Sequence, residues 1–225
     1  MVVAVCTSDR AVLPVEGRPG AGKTYATEAV VAAHVEFGRP IVGCAVSAAA
    51  AAELESQAGF SRSTGEAMTV AKLLYDLDRF GPLAGGTTVI VDEASMIGTR
   101  DLYRLAECVA EVDGRVVLIG DPDQHGSVEA GGVFARLCDL EGEGLVRLAE
   151  NRRQDDHVDR LAIEDYRQGL IAEAIQRLDD ADRVVRSATA GESFDAMVAD
   201  WYAARCVGAA DPMIAGPNST RRALN

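Results

Sequence analysis

The stretch Gly17-Arg-Pro-Gly20-Ala-Gly22-Lys23-Thr24 has the residue types and spacing to hold a polyphosphate, and it lies between a short apolar run and a helical segment. Glycines let backbone N–H groups curl round a phosphate, and the helix that follows offers the positive end of its dipole. Lys23 can reach the β- and γ-phosphates, and the Thr24 hydroxyl can ligate Mg²⁺. The nucleotide-binding segment expected on this reading is Gly17, Gly20, Ala21, Gly22, Lys23, Thr24 and Tyr25, with ATP and Mg²⁺ as its cofactors.

Two further clusters carry chemistry. Val89-Ile-Val-Asp92-Glu93 puts adjacent carboxylates at the end of an apolar run, where repulsion between them is relieved by a nearby cation. Asp92 would hold Mg²⁺ with Thr24, and Glu93 would polarise an attacking water, which favours hydrolysis over binding alone. Val117-Leu-Ile-Gly120-Asp121-Pro122-Asp123-Gln124 repeats the plan. Gln124 both donates and accepts, which suits a group touching a terminal phosphate and water. Taken alone, Gly-Asp-Pro-Asp is also an ordinary turn.

Positioning these groups needs a scaffold, and the pattern predicts one: β-rich runs at 12–16, 41–46, 88–92, 115–120 and 145–148 alternate with helical stretches at 23–37, 48–58, 69–80, 100–112 and 132–140. Runs that are apolar throughout indicate strands covered on both faces, hence a parallel α/β sheet. Residues 1–150 read as one domain. After Glu150 the composition changes: charged helix from 155 to about 178, a short strand near Val184-Val185, a helix around 194–205, then Met213-Ile214-Ala215 as a strand before Gly216-Pro217-Asn218. A strand with nothing after it to complete a sheet makes residues 151–225 read as connecting helices and the incomplete start of a second domain.

The ordered set of the phosphate loop, Val91-Asp-Glu-Ala-Ser-Met96, Gly120-Asp-Pro-Asp-Gln124 followed by Ser127-Val-Glu-Ala-Gly-Gly-Val-Phe134, and Glu150-Asn-Arg-Arg-Gln154 resembles the RecD-like branch of superfamily 1 DNA helicases. It is most similar to the helicase portion of TraI/TrwC-type conjugative relaxases. The resemblance implies a RecA-like P-loop NTPase fold, opening into a second RecA-like domain near Met213. It implies Lys23, Glu93, Gln124 and Arg153 as catalytic groups, with Arg153 touching the γ-phosphate from a domain interface. Ser47 and, more weakly, Thr69 would touch DNA phosphate. The implied activity is ATP hydrolysis coupled to 5′-to-3′ movement on single-stranded DNA. The implied partners are that DNA, the remainder of the motor and the conjugation machinery. The later motifs and the relaxase module have no counterpart in this sequence, so unwinding by the chain alone is expected to be absent or very weak.

With 22 Lys plus Arg against 35 Asp plus Glu, the net charge of −13 excludes a uniformly basic nucleic-acid binder and leaves a local basic groove open. The five cysteines are scattered, which fits neither a zinc ribbon nor a disulfide scaffold. No apolar run approaches a membrane span, and the first residues lack a basic segment, so a cytoplasmic location is expected. His34, His125 and His157 have no ligand-spaced partners, and Trp201 and Tyr202 are expected to pack. Two rival functions stand beside the motor. One is a stand-alone P-loop ATPase acting as a nucleotide-dependent protein-interaction switch, which the acidity favours. The other is a small-molecule kinase, which leaves Gln124 and Arg153 unexplained.

Overall fold

β5 (Arg115–Gly120) runs through the middle of the sheet, and its side chains divide by period two between two cores. Val116 and Leu118 enter one core, Val117 and Ile119 the other, and all four are fully buried. The computed structural model describes residues 1–61, 65–124, 131–148, 156–208, 213–214 and 220. Six parallel strands form the sheet in the order β3-β2-β4-β5-β1-β6, with β1 Val12–Gly17, β2 Ile41–Ala45, β3 Ala67–Thr69, β4 Thr88–Val91 and β6 Val146–Leu148. This is the RecA-like P-loop arrangement expected from the sequence.

The helices bury the sheet on both faces, which is why the strands are apolar throughout. α1 (Val2–Thr7), α2 (Lys23–Glu36) and α3 (Ala48–Gln57) supply Val5, Val30, Val31 and Leu54 to one core. α4 (Val70–Phe80), α5 (Thr99–Ala110) and α6 (Val133–Glu141) supply Leu73, Leu74, Leu105, Val109 and Phe134 to the other. Among the described residues no helix is long and apolar enough to cross a membrane.

The chain divides into two compact units, Met1–Asp155 and Asp156–Asn225. In the second, α7 (His157–Arg167) and α8 (Ile171–Asp180) form a helical pair separated at Gly169, whose φ of 78° ends the first helix. Asp156 caps α7 by accepting from the N–H groups of Val158 and Asp159, and Arg183 pairs with it at 2.8 Å. α9 (Ala190–Cys206) begins where Thr189 accepts from Glu192 N, while the Glu192 carboxylate accepts from Ala188 N.

Three expectations change. No strand forms at Val184-Val185, because among the described residues the second unit holds no strand for a two-residue apolar pair to join. Met213 and Ile214 are likewise outside any strand, and Ala215 lies outside the described residues. Tyr202 is exposed rather than packed, since α9 buries none of its side chains among the described residues; Trp201 is half-buried with Arg205 over its ring.

His34 is a buried group on α2 that the sheet must keep neutral. Its Nδ1 lies 2.9 Å from the Val30 carbonyl, which only accepts, so Nδ1 carries the proton; Nε2, 3.0 Å from Thr88 Oγ1, accepts from the hydroxyl. Burial holds its pKa below the ordinary 6.5, against the Val30 carbonyl, with Arg115 and Arg39 adding to the depression. The unfolded chain therefore binds this proton first, so the stability contributed by the neutral ring is complete above about pH 6.5 and is lost as pH falls through the lower, folded value. Urea unfolding at about pH 7.5 and 5.5 should show a fall in stability for the wild type and a smaller fall for His34→Gln; equal falls would refute the assignment.

Candidate functional site

The order β4-β5-β1 brings three strand ends side by side, and the register sets them level: Glu16 pairs with Gly120, and Val91 with Leu118. The loops that follow meet in one cleft of about 580 Å³ at the carboxyl edge of the sheet. Its walls include Gly20, Gly22, Lys23 and Thr24 from the loop after β1. Asp92 and Glu93 come from the loop after β4, and Asp121 and Gln124 from the loop after β5.

The phosphate loop takes its shape from two glycines in the left-handed region, Gly20 at φ 78° and Gly22 at φ 76°, the second leading directly into α2. Gly17 is needed for room. A Cβ there would stand 2.6 Å from Cδ of Lys23, whose stem crosses that spot so that Nζ donates to the Gly17 carbonyl at 2.9 Å. Ala21 is buried, and the Tyr25 ring is exposed; neither lines the cleft.

Asp92 continues the β4–β2 ladder by donating its N–H to the Cys44 carbonyl at 2.8 Å, and its Oδ1 accepts from Glu93 N at 2.9 Å. Burial pushes the Asp92 carboxyl up; the Glu93 N–H and Lys23 oppose this, and Glu53 adds to it. Glu93 itself has φ 53° and ψ 37°, a left-handed conformation costly for a residue with a Cβ. A single turn of 3-10 helix, Ala94–Met96, follows it and buries Ala94 and Ser95. Gly120 lets β5 approach this turn, because a Cβ there would sit 3.1 Å from Ser95 N, 3.2 Å from Ala94 N and 3.1 Å from the Phe134 ring. The turn after it is closed by Asp121, whose buried carboxylate accepts from Asp123 N at 3.1 Å and whose carbonyl accepts from Gln124 N at 3.2 Å. Gln124 is left exposed in the cleft.

Of the residues expected to act, Lys23, Thr24, Asp92, Glu93 and Gln124 share the cleft. Arg153 lies outside the described residues, as do His125 and residues 127–130 of the motif after Gln124. Ser47 and Thr69 cap α3 and α4, accepting from Ala50 N and Lys72 N at 3.1 Å each. Thr69 is the last residue of β3, paired with Ala45 at the end of β2, and Ser47 lies two residues beyond Ala45; neither lines the cleft. Sequence reasoning missed one wall: Ala50, Glu53, Leu54 and Gln57 of α3 face the cleft, with Gln57 Nε2 donating to Glu53 Oε1 at 3.1 Å. The spacing i, i+3, i+4, i+7 is that of one helix face, but a run of five alanines hides which face matters.

The donors present fit a small hard cation held together with a phosphate chain. Thr24 offers a hydroxyl and Asp92 a carboxylate whose second oxygen accepts no hydrogen bond among the described residues, and Mg²⁺ is commonly held by one or two such groups plus phosphates. Among the described residues no group of three or more His, Cys, Asp or Glu is arranged to bind a metal by itself.

The chain is similar in sequence to several known proteins. The Probable conjugal transfer protein TraA of Sinorhizobium fredii is 29% identical over 185 residues, 82% of this chain and 16% of that relative. The RecBCD enzyme subunit RecD of Mycolicibacterium smegmatis is 38% identical over 104 residues, 46% of this chain and 17% of its own length. The Multifunctional conjugation protein TraI of Escherichia coli K12 is 36% identical over 138 residues, 57% of this chain and 7% of that protein. The chain thus spans about a sixth or less of the length of these relatives. A family profile described as AAA domain matches residues 1–189, most of the chain, which therefore belongs to that family as a helicase-like P-loop ATPase domain similar to RecD and the TraA and TraI proteins.

Proposed function

We propose that this chain binds ATP with Mg²⁺, hydrolyses it, and is the ATPase part of a DNA motor of the RecD or conjugative relaxase kind, coupling turnover to movement on single-stranded DNA. The observation that supports this reading is the meeting of the phosphate loop, Asp92-Glu93 and Gln124 in one cleft. Lys23, released from the Gly17 carbonyl, binds the β- and γ-phosphates while N–H groups at the start of α2 surround them. Thr24 and Asp92 would hold the magnesium ion, which when bound would supply positive charge to the phosphate chain. Glu93 orients water and takes its proton, and Gln124 reports the γ-phosphate. Arg153 contributes positive charge to the same phosphate. Ser47 and Thr69, at adjacent strand ends, contact the DNA backbone; their oxygens already accept cap bonds, so the hydroxyls are turned to donate. Residues 1–150 are the first motor domain, and residues 151–225 lead into the second. The conjugation machinery is the partner that the TraA and TraI relatives favour, with the chain acting in the cytoplasm.

Removing the ammonium should remove nucleotide binding: Lys23→Ala is expected to show no saturable ATP binding by titration calorimetry, and wild-type affinity in that variant would overturn the site. Glu93 separates binding from chemistry. Glu93→Gln should bind ATP normally and turn over about 10²- to 10⁴-fold more slowly in a phosphate-release assay. Glu93→Gly should be equally slow yet about 1 kcal/mol more stable in urea, because glycine relieves the left-handed backbone. A motor must respond to its track, so single-stranded DNA should raise the ATPase rate of the chain joined to its second motor domain. Identical rates with and without DNA would leave the nucleotide-dependent switch as the better reading.

A further inference from the structure

Among the described residues lining the cleft, four carboxylates, Glu53, Asp92, Glu93 and Asp121, face a single ammonium, that of Lys23. A nucleoside triphosphate brings several negative charges of its own, so the free anion meets repulsion that its cation complex does not. Asp92, Glu93 and Asp121 belong to the strand-end loops already described. Glu53 does not: it comes from the middle of α3, lines the cleft from that helix, and its charge is felt at Asp92. Gln57, one turn further along, donates to Oε1 of Glu53, whereas Glu55 of the same helix, exposed as Glu53 is, does not line the cleft.

We propose that Glu53, presented by α3 and hydrogen-bonded by Gln57, is a specificity-determining residue that makes the cleft select the divalent-cation complex of the nucleotide over the free nucleotide. This rests on the nucleotide site proposed above. The carboxylate acts in two ways that share one sign. It repels uncomplexed phosphate oxygens, and it accepts hydrogen bonds from the water shell of a cation held by Thr24 and Asp92. Being on a wall open to solvent, it acts through screened electrostatics, with the strength of one exposed charge interaction.

The test measures binding, without turnover. The dissociation constant of a fluorescent N-methylanthraniloyl ATP is determined for the full chain in excess EDTA and again in saturating MgCl₂, and the ratio of the two is compared among wild type, Glu53→Gln and Glu55→Gln. Glu53→Gln should narrow the ratio about fivefold, by tighter binding in EDTA together with weaker binding in magnesium. Glu55→Gln, with the same charge change on the same helix, should keep the wild-type ratio. An unchanged ratio in Glu53→Gln, or an equal narrowing in Glu55→Gln, overturns the proposal while leaving the nucleotide site intact. A parallel loss of affinity in both conditions assigns Glu53 a structural role and overturns it too. Wild-type protein that binds no nucleotide in either condition overturns the site and the proposal together.

Discussion

Everything at the carboxyl edge depends on β5 hydrogen-bonding to β1 on one side and to β4 on the other. A ladder fixes its strands in steps of one residue, and slipping by one would turn Val116 and Leu118 out of one core and Val117 and Ile119 out of the other. The register that buries these four side chains is the same register that sets the phosphate loop, the acidic pair and the glutamine turn level with one another. Packing of the apolar middle thus supplies the precision that a phosphate site needs, and the loops themselves need only be short.

Short loops at that edge are bought with unusual backbone. Gly20 and Gly22 adopt left-handed conformations that glycine takes freely, whereas Glu93 adopts one at a cost. The cost persists because both neighbours are fixed: Asp92 is still in the sheet through Cys44, and Ala94 and Ser95 are buried beneath Gly120 and Phe134. A carboxylate that must project into the cleft immediately after one that belongs to the strand has few backbone solutions, and the left-handed one is compatible with this packing. Gly17 and Gly120 serve differently, as places where a lysine stem and a neighbouring turn occupy the volume of a side chain.

The sequence was informative wherever local chemistry and burial agree. β5 spans 115–120 as the apolar run predicted, and the starts of α2 and α3 follow from Gly22 and from the capping oxygen of Ser47. It was uninformative where structure is tertiary in origin. β3 is three residues, Ala67–Thr69, that become a strand only because Gly43, Cys44 and Ala45 offer an edge. α1 is six residues of a type that also suits a strand, held as a helix with Val5 in the core and with Arg115 donating to the carbonyls of Val5 and of Ser8 just past its end. The apolar pair Val184-Val185 has the opposite fate, with β propensity and no strand beside it among the described residues of its own unit. In the site, residues adjacent in motifs were legible, and the α3 wall was not, since alanines give a helix no visible face.

That wall changes how the cleft's charge is understood. Read from motifs alone, the acids serve one ion and one water, and their mutual repulsion is a local expense near Asp92. With Glu53 and Asp121 included, carboxylates reach the cleft from α3 and from the loops after β4 and β5, while the Lys23 ammonium rests on the Gly17 carbonyl. On the nucleotide-binding reading proposed above, the ammonium has to exchange its bond to a backbone carbonyl for bonds to phosphate. The exchange is favourable when the incoming phosphates bring positive charge with them. On that same reading the cleft couples the two halves of its substrate, because the cation and the phosphate chain each remove a repulsion that would otherwise oppose the other.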